Sequence, residues 1–296
     1  MPKDNLEKDV LDQLNKNKYI RIGSDVSVTE LIDSPRIVHL RNRHRDKLVS
    51  DNFDINIPSL VGQGLHRELQ KYLKMQHNID GNWLIERKMC SVFNNIRLAG
   101  KFDALWNLKH LYDIKYTGVF KYIKGDWESF EAQLNIYDYM LHMDGIEIEK
   151  LFLFVVFSDW KQGKVYKTGY PKHRKEVIEV KKWSRVAQKD FIVSRLKAWE
   201  KNLNLKDNKL TLCTPEERWA GNPVYKLFKA PVSKRSTKNF PTRARAENYK
   251  AKCIANSKDS SWDNSFIDKG FPQPWKRCEG WCDVKDFCNQ YKEKLT

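Results

Sequence analysis

The stretch from Ala99 to Thr117, AGKFDALWNLKHLYDIKYT, constrains this chain more than any other. Phe102, Ala104, Leu105 and Trp106 on one side of a polar turn, and Leu111, Tyr112 and Ile114 on the other, read as two short strands of a hairpin. Asp103, Asp113 and Lys115 stand among them. Aspartate is depleted from strands, and a buried carboxylate without a partner is costly. Asp113 and Lys115 are two residues apart, so in a strand they share a face. A turn of odd length near Leu108 puts Asp103 opposite Asp113 on that same face. Two carboxylates that close repel one another unless a proton or cation lies between them. A hard divalent cation such as Mg²⁺ or Mn²⁺ suits oxygen ligands of this kind. A lysine beside it can orient or activate a water, or stabilise charge on a phosphate. Taken alone, D-x-K is most often a surface ion pair on an exposed hairpin, and that alternative stands until the flanking sequence is read.

The chain has 296 residues, 41% of them hydrophobic and 12% aromatic, so it folds rather than remaining disordered. That length suits one large domain, or one domain with a smaller module. No apolar run reaches the length of a membrane span, and the opening MPKDNLEKDVLDQLNKNKY lacks the apolar segment of a signal peptide. The expected location is the cytoplasm, with no membrane partner. Disulfides are rare there, so the six cysteines read as metal ligands or buried thiols. The net charge of +16, from 54 Lys and Arg against 38 Asp and Glu, points to a polyanion, with solubility alone as the plainer alternative.

The expected order of elements is helix, strands, helix, strands, helix, an α/β sandwich with a mixed sheet. A charged helix is expected over residues 5–16. Ser27 and Glu30 have capping-box spacing, so a short helix begins near Val28, and Pro35 either stops it or starts the next. LVGQGLHRELQKYLKMQ is an amphipathic helix with Leu65, Leu69, Tyr72 and Leu73 on one stripe. Two or three strands follow between Trp83 and Tyr116. A helix over 127–142 presents Phe130, Leu134, Tyr137 and Leu141 to the core. EKLFLFVVFSDW is apolar enough for a doubly covered central strand, and KVYKTGYP alternates like a neighbouring one. A helix over 181–202 presents Trp183, Ala187, Phe191, Leu196 and Trp199. The expected boundary lies after residue 203. Residues 201–296 carry 20 Lys and Arg against 11 Asp and Glu, and five of the six cysteines, with few long periodic segments. So thin a core usually needs a staple.

Around the hairpin, Gly62 stands four residues before His66 on a helix, and Gln133 and Tyr137 are at i and i+4 on another. With Gly100–Asp103 and Asp113–Lys115 these form the ordered set G-x-x-x-H, G-x-x-D, D-x-K and Q-x-x-x-Y. In that order the set resembles the PD-(D/E)XK nuclease superfamily, specifically its RecB-like exonuclease branch and related phage nucleases. The resemblance implies a mixed β-sheet flanked by helices, and phosphodiester hydrolysis with one or two metal ions. It implies that His66, Asp103, Asp113 and the backbone carbonyl of Ile114 ligate Mg²⁺ or Mn²⁺. Lys115 positions the attacking water, and Gln133 and Tyr137 contact the DNA backbone or support the catalytic residues. Glu86, in LIERKM, is either a supporting carboxylate or, more simply, an ion-pair partner of Arg87 or Lys88.

RCEGWCDVKDFC places Cys278, Cys282 and Cys288 within eleven residues, which favours a bound metal or cluster, free thiols being the alternative. Cys213 in LCTPEERW and Cys253 in KAKCIAN are candidates for a fourth ligand, and Cys90 falls on an expected strand. Members of the resembling branch with an iron–sulfur cluster take one cysteine from before the core, where this chain has Ser34. The similarity of CTPEERW to phage-type members implies Cys213 instead. Thiolates suit a structural [4Fe–4S] cluster or Zn²⁺, and the spacing does not decide between them. Between these cysteines, YKLFKAPVSKRSTKNFPTRARAENYKAK interleaves Tyr225, Phe228, Phe240 and Tyr249 with basic residues, Lys234, Arg235, Lys238, Arg243 and Arg245 among them. That composition suits a DNA-binding channel, or else a solvated basic loop. The implied protein is a DNA exonuclease of phage replication, recombination or repair, with DNA and other replication or recombination proteins as partners. The alternatives are a structure-specific endonuclease and a DNA-binding subunit that cuts little.

Overall fold

The structure is a computed structural model that describes residues 23–48, 53–221, 224–257, 260–268 and 274–295. The helix expected over 5–16 lies outside the described residues. The chain divides into two units, Met1–Thr211 and Leu212–Thr296, so residues 204–211 belong with the first.

In the first unit, β1 (Val26–Ser27) leads directly into α1 (Val28–Ile32) through a complete capping box. The Glu30 amide donates to Ser27 Oγ, and the Ser27 amide returns a 2.9 Å bond to Glu30 Oε2. Pro35 opens α2 (Pro35–Arg43), where its missing N–H costs nothing. The long α3 (Phe53–Asp80) follows. Its expected apolar stripe is only partly covered: Leu65, Leu69 and Leu73 are half-buried, while Tyr72 is exposed.

Five strands, not two or three, occupy 83–117: β2 (Trp83–Ile85), β3 (Lys88–Phe93), β4 (Ile96–Lys101), β5 (Ala104–Trp106) and β6 (His110–Thr117). They are distributed over two sheets, the chain changing sheet between β2 and β3 and again between β4 and β5. One sheet has order β1-β4-β3, with β1 parallel to β4. Its β3–β4 hairpin turns through Asn94 and Asn95, both at positive φ, where asparagine is tolerated. The other has order β2-β5-β6-β7-β8, with β7 (Lys150–Phe157) parallel to β6 and β8 (Lys175–Val180) antiparallel to β7. The mixed sheets are flanked by helices, α4 (Val119–Lys124), α5 (Glu128–Met143) and α6 (Arg185–Lys201) completing the set.

Along β7, Leu151, Leu153, Val155 and Phe157 are fully buried, while Phe152, Phe154 and Val156 are half-buried. One face is therefore sealed and the other partly covered. KVYKTGYP forms a short 3-10 turn and loop rather than a strand, because Gly169 turns the chain at φ 77° and buried Tyr170 hydrogen-bonds the Lys161 amide. On α6, Leu196 and Trp199 are buried and Phe191 half-buried, but Ala187 is exposed and Trp183 precedes the Ser184 cap.

The second unit contains an antiparallel sheet, β10-β9-β11, from β9 (Tyr225–Phe228), β10 (Lys238–Phe240) and β11 (Phe266–Ile267). Against it lies α7 (Arg243–Asn256), and Leu227, Phe240 and Ala246 form a small core. Two short helices, α8 (Lys276–Gly280) and α9 (Asn289–Leu295), bracket the last cysteines.

A buried polar network holds α5 to the start of α6. Asn135, fully buried, donates to the Glu131 and Lys181 carbonyls and accepts from the Trp183 amide at 2.8 Å and from Gln188 at 3.0 Å. Gln188 also donates to buried Asp138, which pairs with Arg185 at 2.9 Å. Truncating Asn135 strands several buried groups at once, each worth about 1–3 kcal/mol. Asn135→Ala is therefore expected to lower unfolding stability by roughly 3 kcal/mol, measured by urea denaturation.

Candidate active site

The β5–β6 hairpin has the odd-length turn that the sequence requires. Ala104 pairs with Tyr112, Leu105 with Leu111 and Trp106 with His110, leaving Asn107, Leu108 and Lys109 to turn. Asn107 and Leu108 both adopt positive φ. One step beyond the last pair, this register sets Asp103 opposite Asp113. The carboxylate of Asp103 crosses the gap: the Ile114 amide donates to its Oδ2 at 2.7 Å.

Two pairs of charged groups converge there. His66 on α3 places Nδ1 3.6 Å from Asp103 Oδ1. Lys115 places Nζ 2.7 Å from Asp113 Oδ2. Lys115 also donates to Gln133 Oε1 at 2.9 Å, and Gln133 Nε2 donates to the Tyr137 hydroxyl at 3.1 Å. Gln133 and Tyr137 are both buried on α5, so their position supports the lysine rather than facing solvent.

The electrostatics divide the two aspartates. Burial raises the Asp113 pKa to about 6 against the opposing pull of Lys115, with Asp103 adding repulsion. For Asp103, burial is outweighed by the hydrogen bond and charge of His66 and by the Ile114 amide, and its pKa falls below the ordinary value. His66 rises correspondingly: desolvation opposes protonation, but Asp103 and Asp113 overcome it. Tyr137 is driven upward by burial and by the Asp113 charge.

The four motif residues also explain one glycine and not the other. A Cβ on Gly100 would lie 2.7 Å from Tyr137 Cε1 and 3.1 Å from Val28 Cγ2, so a buried ring occupies the space a side chain would need. At Gly62 a Cβ would stand 3.6 Å from Tyr116 Cβ, an ordinary contact.

Phe130 belongs to the site and its motif spacing gives no sign of it. Its ring lies 4.8 Å from the ammonium of Lys115 and 4.8 Å from that of Lys121 on α4. A cation over an aromatic face is held electrostatically, more strongly where water is excluded. Glu86 pairs instead with Lys101 and, at 3.8 Å, with Lys74, not with Arg87 or Lys88. The cause is local: Glu86 takes φ 53°, and its amide bonds the Asp103 carbonyl.

Among the described residues, no three His, Cys, Asp or Glu side chains stand close enough to make a metal site as placed. The donor set suits a hard cation in kind, and one observation favours it. Asp113 is buried, and although the Lys115 ammonium stands 2.7 Å from its Oδ2, its pKa stays raised, so one cation does not fully offset the burial. A carboxylate in that state keeps lone pairs for a further cation.

In the second unit, Cys278 has its thiol pKa raised by burial and by Cys213 and Cys288 nearby. Burial pushes Cys282 up to about 11, with Asp283 and Cys278 adding to it. Cys213 is fixed beside this segment by Gln290 on α9, which accepts from its amide at 2.8 Å and donates to its carbonyl at 3.0 Å. Cys90 is exposed on β3 of the first unit, and Cys253 is half-buried on α7. Lys234, Arg235, Lys238, Arg243 and Arg245 are all exposed, and Arg243 pairs with Glu247. Among the described residues, no helix is long and apolar enough to cross a membrane.

No protein-family model matches the chain, and no curated protein matches it. Several solved structures are similar in part, two of them as follows. The crystal structure of SSO0001 is similar over 69% of this chain and 87% of its own, at 20% identity and a TM-score of 0.49. A candidate exonuclease from Eubacterium rectale is similar over 67% of this chain and 71% of its own, at 11% identity and a TM-score of 0.28. Likenesses at this level do not assign an activity.

Two stability effects follow from the geometry. Gly100→Ala overpacks the Tyr137 ring and is expected to cost about 1–3 kcal/mol, measured by urea denaturation. Asp113 acts in the opposite sense. Its folded pKa lies above the ordinary 3.8, so the unfolded chain ionises first and stability falls as pH rises from about 4 to 6. In chelator-containing buffer, Asp113→Asn is expected to be more stable than wild type at pH 8, by up to roughly 3 kcal/mol, and to converge with it below pH 4. A variant less stable than wild type at pH 8 would contradict this account.

Proposed function

We propose that the chain is a metal-dependent deoxyribonuclease that hydrolyses phosphodiester bonds. The observation that supports this most directly is the placement of Asp103 opposite Asp113 across the hairpin, with Lys115 on the same patch and 2.7 Å from the buried Asp113 carboxylate. A surface ion pair would not keep Asp113 buried to 2% exposure. Nor does a packing role favour two carboxylates, an imidazole and an ammonium in one place, since each loses hydration there.

In this reading Asp103, Asp113, His66 and the Ile114 carbonyl hold Mg²⁺ or Mn²⁺. When bound, the cation stabilises charge on the scissile phosphate and favours the ionised form of Asp113. The chain's own groups do the remaining work. Asp103, fixed by the Ile114 amide and by His66, stays ionised and orients the imidazole. The Lys115 ammonium donates to the attacking water or to a phosphate oxygen. Gln133 accepts from that ammonium and is braced by Tyr137, and Phe130 supports it from the ring side. Water attacks phosphorus, the bond to the leaving oxygen breaks, and that oxygen takes up a proton.

The finer assignments rest on the resemblance of the ordered motifs. The Q-x-x-x-Y pair supports exonucleolytic action on DNA ends, and the phage, recombination and repair setting follows from the same branch. The thiols of Cys213, Cys278, Cys282 and Cys288, which influence one another around Cys278, support a structural [4Fe–4S] cluster or Zn²⁺. A DNA-binding subunit that cuts little is the alternative, and the complete residue set argues against it.

Purified protein with Mg²⁺ or Mn²⁺ is expected to degrade linear DNA and to spare closed circles. Asp113→Asn and Lys115→Ala should each reduce the rate at least about a hundredfold while leaving DNA binding in place. Binding without cleavage, on every end type and with either metal, would establish the alternative.

A further inference from the structure

We propose that the second unit carries a stacking platform for single-stranded nucleic acid, built on the open face of sheet β10-β9-β11. The strand register separates the two faces. Tyr225 and Leu227 on β9, Phe240 on β10 and Ile267 on β11 pack into the small core against α7. Three of the aromatics that interleave the basic segment, Tyr225, Phe240 and Tyr249, are therefore committed to packing. Phe228, the fourth, alternates to the other side.

On that side it meets Phe266, its cross-strand partner. The two rings are parallel within 9° and 5.0 Å apart, and neither belongs to the buried core. Phe266 retains 36% of its surface. A stacked pair on paired strands is pre-organised, so a base laid against it costs little ordering, and a planar π-face is what an unpaired base can use.

The surrounding charge selects a polyanion. Residues 225–252 contain nine Lys and Arg and one acid, Glu247, which Arg243 engages. Exposed Lys234 and Arg235, in the loop that leaves β9 just after Phe228, have no acidic partner among the described residues. A stacked ring pair followed directly in the chain by a basic loop suits single strands, with bases on the rings and phosphates on the side chains. A duplex, whose bases are already stacked, gains only the charge.

The test is fluorescence anisotropy on the full chain in EDTA, so that binding is read without cleavage. The probes are labelled oligo-dT and oligo-rU of about 15 nucleotides and a duplex of the same length. Single strands, oligo-dT and oligo-rU alike, are expected to bind more tightly than duplex. Phe228→Ala and Phe266→Ala should each weaken single-strand binding about fivefold or more and leave duplex binding unchanged. Phe266→Tyr should retain affinity, and Phe266→Leu, which keeps apolar bulk without a π-face, should lose it. Lys234→Ala with Arg235→Ala should flatten the salt dependence, by about 0.7 in log–log slope per phosphate contact removed. The proposal is overturned if duplex binds as tightly as single strands, or if Phe266→Leu binds like wild type. It stands apart from the cleavage reading: loss of stacking leaves hydrolysis untested, and absence of hydrolysis leaves this binding intact.

Discussion

The buried carboxylate of Asp113 is the constraint around which the first unit is arranged. Lodged on β6 between β5 and β7, it has been taken out of water, and nothing in a plain hairpin repays that. Its neighbours supply partial compensation. Lys115 brings a positive charge from the same face, and Gln133 with Tyr137 holds that charge in position from the helix packed above. The compensation is incomplete, since Asp113 stays hard to ionise even with the Lys115 ammonium beside it. A fold that tolerates such a group is giving up stability at that point, as functional sites commonly do.

Asp103 shows how differently the same side chain behaves one strand away. It too is buried, yet it holds an amide and an imidazole, and these keep it ionised. One aspartate is thus fixed and charged, the other paired with Lys115 yet harder to ionise. That asymmetry arises from backbone geometry. Asp103 sits just before β5, where its side chain can reach the Ile114 N–H, while Asp113 lies inside β6 itself, more deeply buried and beside Lys115.

Much of this was legible in the sequence because it depends on short spacings. An odd turn and a two-residue repeat are sufficient to put Asp103, Asp113 and Lys115 on one patch, and an i, i+4 spacing is sufficient to stack Gln133 on Tyr137. The Ser27–Glu30 capping box was likewise readable, since its partners are three residues apart. What escaped depends on how separate elements pack. The partners of Glu86 come from β4 and α3, fixed by a positive φ that no residue type at that position announces. The alternation in KVYKTGYP was overridden by Gly169 and by burial of Tyr170. Phe130 looked like one more core residue of a helix. Only the approach of α4 and β6 to the same ring reveals it as a seat for two ammonium groups.

The need for Gly100 joins these strands of argument. As a motif position it could stand for a turn, a bulge or close packing, and the sequence does not choose. In the structure β4 passes so near α5 that the Tyr137 ring fills the volume of a missing side chain. Tyr137 in turn is what Gln133 leans on, and Gln133 is what receives the ammonium of Lys115. A hydrogen atom in place of a methyl on β4 therefore governs where the lysine sits on β6. Two motifs separated by 29 residues, Gly100–Asp103 and Gln133–Tyr137, thereby become one mechanical unit.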